Sequence, residues 1–282
     1  MLLPKVRTPE SRRMITLEVR RTERLTPTFT NVTLAGPELK HLTPMGFDQG
    51  VRLFFPREGQ RELRMPSRSN GTWMAELLLL PKSRRPWVRN FTVRRARPES
   101  DEVDIEFALH GDTPAADWAL RARPGDPAGI YDLGMTYLPP ADAEWQLLVG
   151  DESAVPAILA ILEDAPASLV AEVFLEVPGT ADFRADITAP EGVRVHWLAR
   201  DGENRPGRAA LEAVRAVRAV GTVGTVGTVK EPPLRPGRSY TWVAGESGLA
   251  TGLRRHLVND RGVPKSDIAF FGYWRHGHSS PG

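Results

Sequence analysis

Arg89-Asn90-Phe91-Thr92 carries three side chains whose types and spacing can serve one chemistry. An aromatic plane can lie against an isoalloxazine ring, and a threonine hydroxyl or its amide can meet the flavin N5 region. A guanidinium can clamp a pyrophosphate through paired hydrogen bonds. The same pattern also describes an ordinary strand with Phe91 in the core, so its context decides. A second candidate is Leu147–Gly150 followed by Asp151-Glu152-Ser153. It reads as a strand running into a helix start, with Ser153 as N-cap and free amides that favour a nucleotide phosphate. Two acids stand in that turn and there is no GxGxxG, so it departs from a bare phosphate cradle. Ala244-Gly245-Glu246-Ser247 repeats the arrangement at a later strand end. Arg200, closing another expected strand, suits either a 2′-phosphate or a solvated surface.

Other chemistries find little support. His276-x-His278 offers two metal ligands with no third nearby, and His41, His196 and His256 stand alone, so no metal site is expected. No serine–histidine–acid triad and no paired carboxylates in a catalytic setting emerge. The chain has no cysteine, which excludes disulfides, thiol catalysis and iron–sulfur clusters. Redox chemistry here needs an organic cofactor or a metal held by other ligands.

The elements that must position these residues change rhythm midway. Met14–Arg20, Phe29–Leu34, Val51–Phe55, Phe91–Arg95 and Val103–Leu109 read as strands broken by Gly, Pro, Asn and Asp turns, with a helix around Ala115–Arg123. They predict an antiparallel six-stranded β-barrel over residues 1–140. Beyond Leu138-Pro139-Pro140-Ala141-Asp142, strands at Gln146–Gly150, Leu169–Val177, Val193–Ala199, Tyr240–Ala244 and Asp267–Tyr273 follow. They alternate with helices at Ser153–Asp164, Arg208–Val220 and Leu249–Asn259. That alternation predicts an open, mostly parallel α/β domain over 141–282. A triple Gly-Thr-Val repeat at 221–229 reads as a surface insertion.

With 282 residues the chain is long enough for two domains and a sizeable core. Lys+Arg is 37 against Asp+Glu 35, too balanced for a protein that wraps nucleic acid. Lys5, Lys40, Lys82, Lys230 and Lys265 are its lysines, so the basic side is almost all arginine, suited to planar anions. No apolar run reaches a membrane span and the start has no apolar leader core, so a cytoplasmic protein is expected.

Taken together, VRLFFP at Val51–Pro56, RNFTVRR at Arg89–Arg95, FALHGDTPAADWA at Phe107–Ala119, LLVGDESAVPAI at Leu147–Ile158, WVAGE at Trp242–Glu246 and GYWRHG at Gly272–Gly277 resemble the siderophore-interacting protein family. These are FAD-dependent ferric-siderophore reductases of the ferredoxin-reductase type, and the resemblance spans about Met14 to Gly277. It implies FAD as cofactor, NADH or NADPH as donor with ferredoxin as an alternative, and ferric siderophore as substrate. It implies flavin contacts at Arg89, Phe91, Thr92, Val93 and Arg94, where Phe91 replaces the usual Tyr. His110, Gly111, Ala115, Ala116 and Trp118 match the segment that approaches the FAD phosphates, with Trp118 equally readable as core. Asp151, Glu152, Ser153, Gly245, Glu246 and Arg200 are implied for the nicotinamide nucleotide, and Arg52 and Arg275 for an anionic siderophore. The family's third basic position falls in a loop that reads Tyr131-Asp132-Leu133-Gly134 here, so an acid is expected at the substrate. A siderophore-binding protein without catalysis and a flavoprotein serving a protein partner are the alternatives.

Overall fold

The computed structural model describes residues 6–109, 111, 113–202, 205–216 and 235–277. These form two compact units, one of residues 6–136 with 159–164 and the other of 137–158 with 165–277.

The first unit is built from β1 (Met14–Arg24), β2 (Phe29–Ala35), β3 (Gly50–Phe55), α1 (Trp73–Leu79), β4 (Trp87–Thr92), β5 (Arg95–Arg97), β6 (Glu102–Ala108), α2 (Pro114–Arg121) and β7 (Pro127–Gly134). Its seven strands form one antiparallel sheet in the order β4-β3-β7-β1-β2-β6-β5. Alternation puts Ile15, Leu17, Val32, Leu53, Ile105 and Phe107 on one buried face, which α2 closes with Trp118. The two edge strands are consecutive in sequence. Val93 and Arg94 carry the chain between them, and their amides donate to the carbonyls of Gln49 and Asp104 at 2.8 Å each. That link curls the sheet into a half-barrel.

Two expectations need correction. The sheet has seven strands rather than six, because β7 opens with Pro127 and contains Gly129 and Gly134, which blur its periodicity. At Gly129 a Cβ would run into the Met65 side chain, so the glycine is a close-approach position. Phe91–Arg95 is not one strand but the end of β4, a crossing and the start of β5.

The second unit contains β8 (Trp145–Gly150), α3 (Val155–Asp164), β9 (Ala171–Val177), β10 (Val193–Ala199), α4 (Arg208–Ala216), β11 (Ser239–Glu246), α5 (Ser247–Asn259) and β12 (Ile268–Trp274). The last six residues of α3 group with the first unit. Five parallel strands run in the order β10-β9-β8-β11-β12. β8 and β9 are buried along their whole length, as a sheet covered on both faces requires. The order reverses between β8 and β11, and in such sheets ligands bind at the carboxyl ends of the strands flanking that reversal. The Gly-Thr-Val repeat lies outside the described residues. Among those described, no helix is long and apolar enough to cross a membrane.

Candidate functional site

β4 presents the arginine–aromatic–threonine series as an edge strand paired only with β3. Arg89 is half-buried, and its Nη1 donates to the Val88 carbonyl at 2.8 Å. Its guanidinium lies 5.0 Å from the centre of the Trp87 ring. No carboxylate meets it among the described residues. Burial and the neighbouring Arg57 charge both lower its pKa, so an anion there would relieve the site. Phe91 packs on Phe107 with ring centres 4.4 Å apart. The Thr92 hydroxyl makes no hydrogen bond among the described residues, which leaves it available to a ligand.

The continuation of that series is structural. Val93 is buried in the half-barrel core. Arg94 is buried and pairs with Glu106 at 3.2 Å and Glu163 at 2.5 Å, while Arg95 shares Glu163 at 2.9 Å. Arg94 is therefore ion-paired with two carboxylates.

Beyond β6, Gly111 adopts φ 61 with open space where a Cβ would stand. Thr113 caps α2 by accepting from the Ala116 amide at 3.3 Å, and Pro114 takes the first helical position. The open turn and the helix start suit the close approach of an anionic group. Ala115 is partly buried and Ala116 buried. Trp118 is buried against Phe55 and Phe107 at 5.2 and 5.7 Å, so of its two readings the core one holds. His110 lies outside the described residues.

At the reversal of the parallel sheet the two acids of the turn are buried and partnered. Asp151, 0% exposed, follows β8 and accepts from the Ser153 amide and hydroxyl at 2.9 and 2.6 Å. Its other oxygen accepts from the Glu246 amide at 2.5 Å and Trp274 Nε1 at 3.0 Å. Burial and the Glu152 charge push its carboxyl up to about 7 against these donors. Ser153 thus holds Asp151 and is not an N-cap; the residue before α3 is Ala154, which has no capping side chain.

Glu152, 1% exposed, receives both Nη atoms of Arg200 at 2.6 and 2.8 Å. Arg200 also meets Glu176 at 3.0 Å, and Glu176 accepts from the Gly207 and Ala210 amides. The expectation of Arg200 at a 2′-phosphate is corrected: two buried carboxylates already occupy its guanidinium. Gly245 adopts φ 135, and a Cβ there would stand 2.6 Å from the Asp151 carboxylate. Glu246 caps α5 through the Gly248 amide.

Arg52 lies on β3 with its guanidinium 5.2 Å from the Trp73 ring centre, half-buried and without a carboxylate among the described residues. Arg275 is exposed and likewise unpaired among them. Tyr131–Gly134 is not a loop but part of β7, and Asp132 is buried there beneath the Gln49 amide at 2.8 Å and the Gly134 amide at 2.7 Å. The expected acid at the substrate is therefore a structural one. His278 lies outside the described residues, and no group of three ligating side chains occurs among those described. Sequence reasoning missed Arg57 and Trp87, whose guanidinium and ring centre lie 3.6 Å apart, and the Trp274–Asp151 bond.

An antiparallel half-barrel followed by a parallel sheet of this order is the construction of ferredoxin-reductase-like flavoproteins. The model described as "Siderophore-interacting FAD-binding domain" matches residues 18–135, and that described as "Siderophore-interacting protein" matches 143–277. Ferric vibriobactin reductase of Vibrio cholerae is 31% identical over 249 residues, covering 87% of this chain and 83% of that protein. The NADPH-dependent ferric-chelate reductase of Escherichia coli is 30% identical over 203 residues, 69% and 74% of the two chains. A siderophore utilization protein from T. fusca superimposes with a TM-score of 0.77 at 28% identity, covering 98% of each chain. This chain belongs to the siderophore-interacting protein family. It is a flavoprotein of the oxidoreductase class, and FAD is its cofactor.

Proposed function

We propose that this chain is an NAD(P)H-dependent ferric-siderophore reductase. Bound FAD would supply the redox chemistry, accepting a hydride equivalent from NAD(P)H and delivering two single electrons, one to each of two ferric chelates. The chain's own part is positioning. Arg89 would hold FAD phosphate, Phe91 and Thr92 would face the flavin, and Gly111 would let the backbone come close. Siderophores hold Fe(III) far more tightly than Fe(II), so reduction releases the metal. Arg52 and Arg275, each without a carboxylate among the described residues, are the charges proposed to attract anionic chelates.

The observation that carries this reading is the half-buried, acid-free Arg89 in a strand matched by the FAD-binding family model. The names of the V. cholerae and E. coli relatives support the reaction and the donor. Purified chain loaded with FAD should be yellow, bleach anaerobically with NADPH or NADH, and recover colour on adding ferric siderophore. Arg89→Ala should lower FAD affinity about tenfold or more, since a charge-assisted phosphate contact is worth about 1.5–3 kcal/mol. Equal FAD affinity in parent and variant would remove the assignment.

The Asp151–Glu152–Arg200 arrangement favours a second reading of the donor. Carboxylates and their partners occupy the strand ends where a nucleotide phosphate would sit, which favours reduced ferredoxin over a tightly held nucleotide. Anaerobic stopped-flow with NADPH, NADH and reduced ferredoxin separates the two. Fast bleaching by ferredoxin alone would move the donor assignment and leave the reductase reading intact.

A further inference from the structure

Several arginines among the described residues are neutralised in full. Arg94, Arg97, Arg200 and Arg238 each meet two carboxylates. Arg57, Arg85 and Arg89, gathered around Trp87, meet no carboxylate among the described residues. The Arg57 amide donates to Gln60 Oε1 at 2.9 Å, and its Nε donates to the Arg85 carbonyl at 2.7 Å. Those bonds lay its guanidinium 3.6 Å from the centre of the Trp87 ring, to which Arg89 also comes within 5.0 Å.

Arg85 has an evident folding role, because its Nη2 ties down the Leu78 and Leu80 carbonyls at the end of α1. Its Nε is nonetheless buried without a partner among the described residues. Arg57 has no such role: both Nη atoms lack partners among the described residues. Burial and the Arg85 charge lower the pKa of Arg57, while burial and the Arg57 charge lower that of Arg89. Crowding like charges without an acid is unfavourable until an anion arrives.

The order along β4 says which part of the ligand the patch would meet. Thr92 and Phe91 stand at one end, Arg89 two residues back, and Trp87 two further. At about 3.4 Å per residue, Arg89 lies roughly 7 Å and Trp87 roughly 14 Å from Phe91 along the strand. An extended dinucleotide with its ring at Phe91 reaches its first phosphate near Arg89 and its second farther toward Trp87.

We propose that Arg57, held flat on Trp87, is the anchor of the adenylate phosphate of FAD and is the residue by which this chain prefers FAD to FMN. The assignment rests on the flavin reading of β4. Arg89 then holds the phosphate common to both flavins, and Arg57 touches only the one that FMN lacks.

Calorimetric titration of the flavin-stripped chain with FAD, FMN and riboflavin tests this without any turnover. Arg57→Gln should weaken FAD about tenfold or more and leave FMN and riboflavin within about twofold of the parent. Arg57→Lys keeps the charge but loses the planar stacked fork, and should lose several-fold for FAD alone. It serves if the glutamine variant is unstable. Arg89→Gln should weaken FAD and FMN together. Unchanged FAD affinity in both Arg57 variants, or equal losses for FAD and FMN, overturns the proposal. If Arg89→Gln nevertheless weakens both phosphorylated flavins, the flavin reading stands without it. If Arg89→Gln changes neither, that reading falls too.

Discussion

Asp151, just past the end of β8, has both oxygens hydrogen-bonded, and its neighbour Glu152 is buried as well. Desolvation is the larger cause of its raised carboxyl, the Glu152 charge the second, and bonds from Ser153 and Glu246 oppose them. A folded-state pKa of about 7 above an ordinary unfolded value contributes stability that is complete below the usual carboxylate range. That contribution is lost as pH rises through about 7. Asp151→Asn, which resembles the protonated acid, should therefore stay within about 1 kcal/mol of the parent at low pH. Its urea midpoint should fall less than the parent's between about pH 5 and 8. Parallel midpoint curves across that range would remove Asp151 as the titrating group. The same carboxylate leaves no room for a side chain at Gly245, whose first added carbon would stand 2.6 Å from Asp151.

The ion-paired turn from β4 to β5 shows how elements depend on distant acids. Burial alone would raise the Glu163 carboxyl, but hydrogen bonds from Arg94 and Arg95 and their charges overcome it and hold it down to about 2. That contribution is present above the ordinary glutamate value and is lost as pH falls toward about 2. Glu163→Gln should lower stability near neutral pH by about 1–3 kcal/mol, with Glu106 still on Arg94, and the deficit should shrink from about pH 5 downward. A deficit independent of pH would mean that packing, not charge, was lost. Such partnerships are also where the sequence stops being readable. β10 and the half-buried alternation of β1 are plain from local pattern, whereas β7 is masked by its proline and glycines. Arg89 stands out as a candidate because the chemistry proposed for it would sit in one tetrapeptide. Arg200 is not, because Glu152 and Glu176, 48 and 24 residues away, decide its fate. Arg57 and Trp87, thirty residues apart, become neighbours only through the β3–β4 pairing and the Arg85 carbonyl.

For the whole molecule, the charge balance is near neutral, with 37 Lys+Arg against 35 Asp+Glu, while Arg52 and Arg275 meet no carboxylate among the described residues. Anionic ferric chelates should therefore reoxidise reduced flavin at a rate that falls with salt, since the Debye length is about 8 Å at physiological strength. Arg52→Ala/Arg275→Ala should be slower at low salt and flatter across the series. A double variant as fast as the parent with every anionic chelate at low salt would exclude these two arginines from attracting substrate. The order of the parallel sheet carries a different consequence, for synthesis. β1 pairs with β7, so the strands of the first sheet are all present once Gly134 has emerged. β8 is complete at Gly150 but its partner β11 only at Glu246. A ribosome adding about 5–20 residues per second leaves one edge of that apolar strand unpaired for roughly 5–20 s. The nascent chain thus holds a finished half-barrel beside an open hydrophobic edge, and that interval is when chaperones have most to cover.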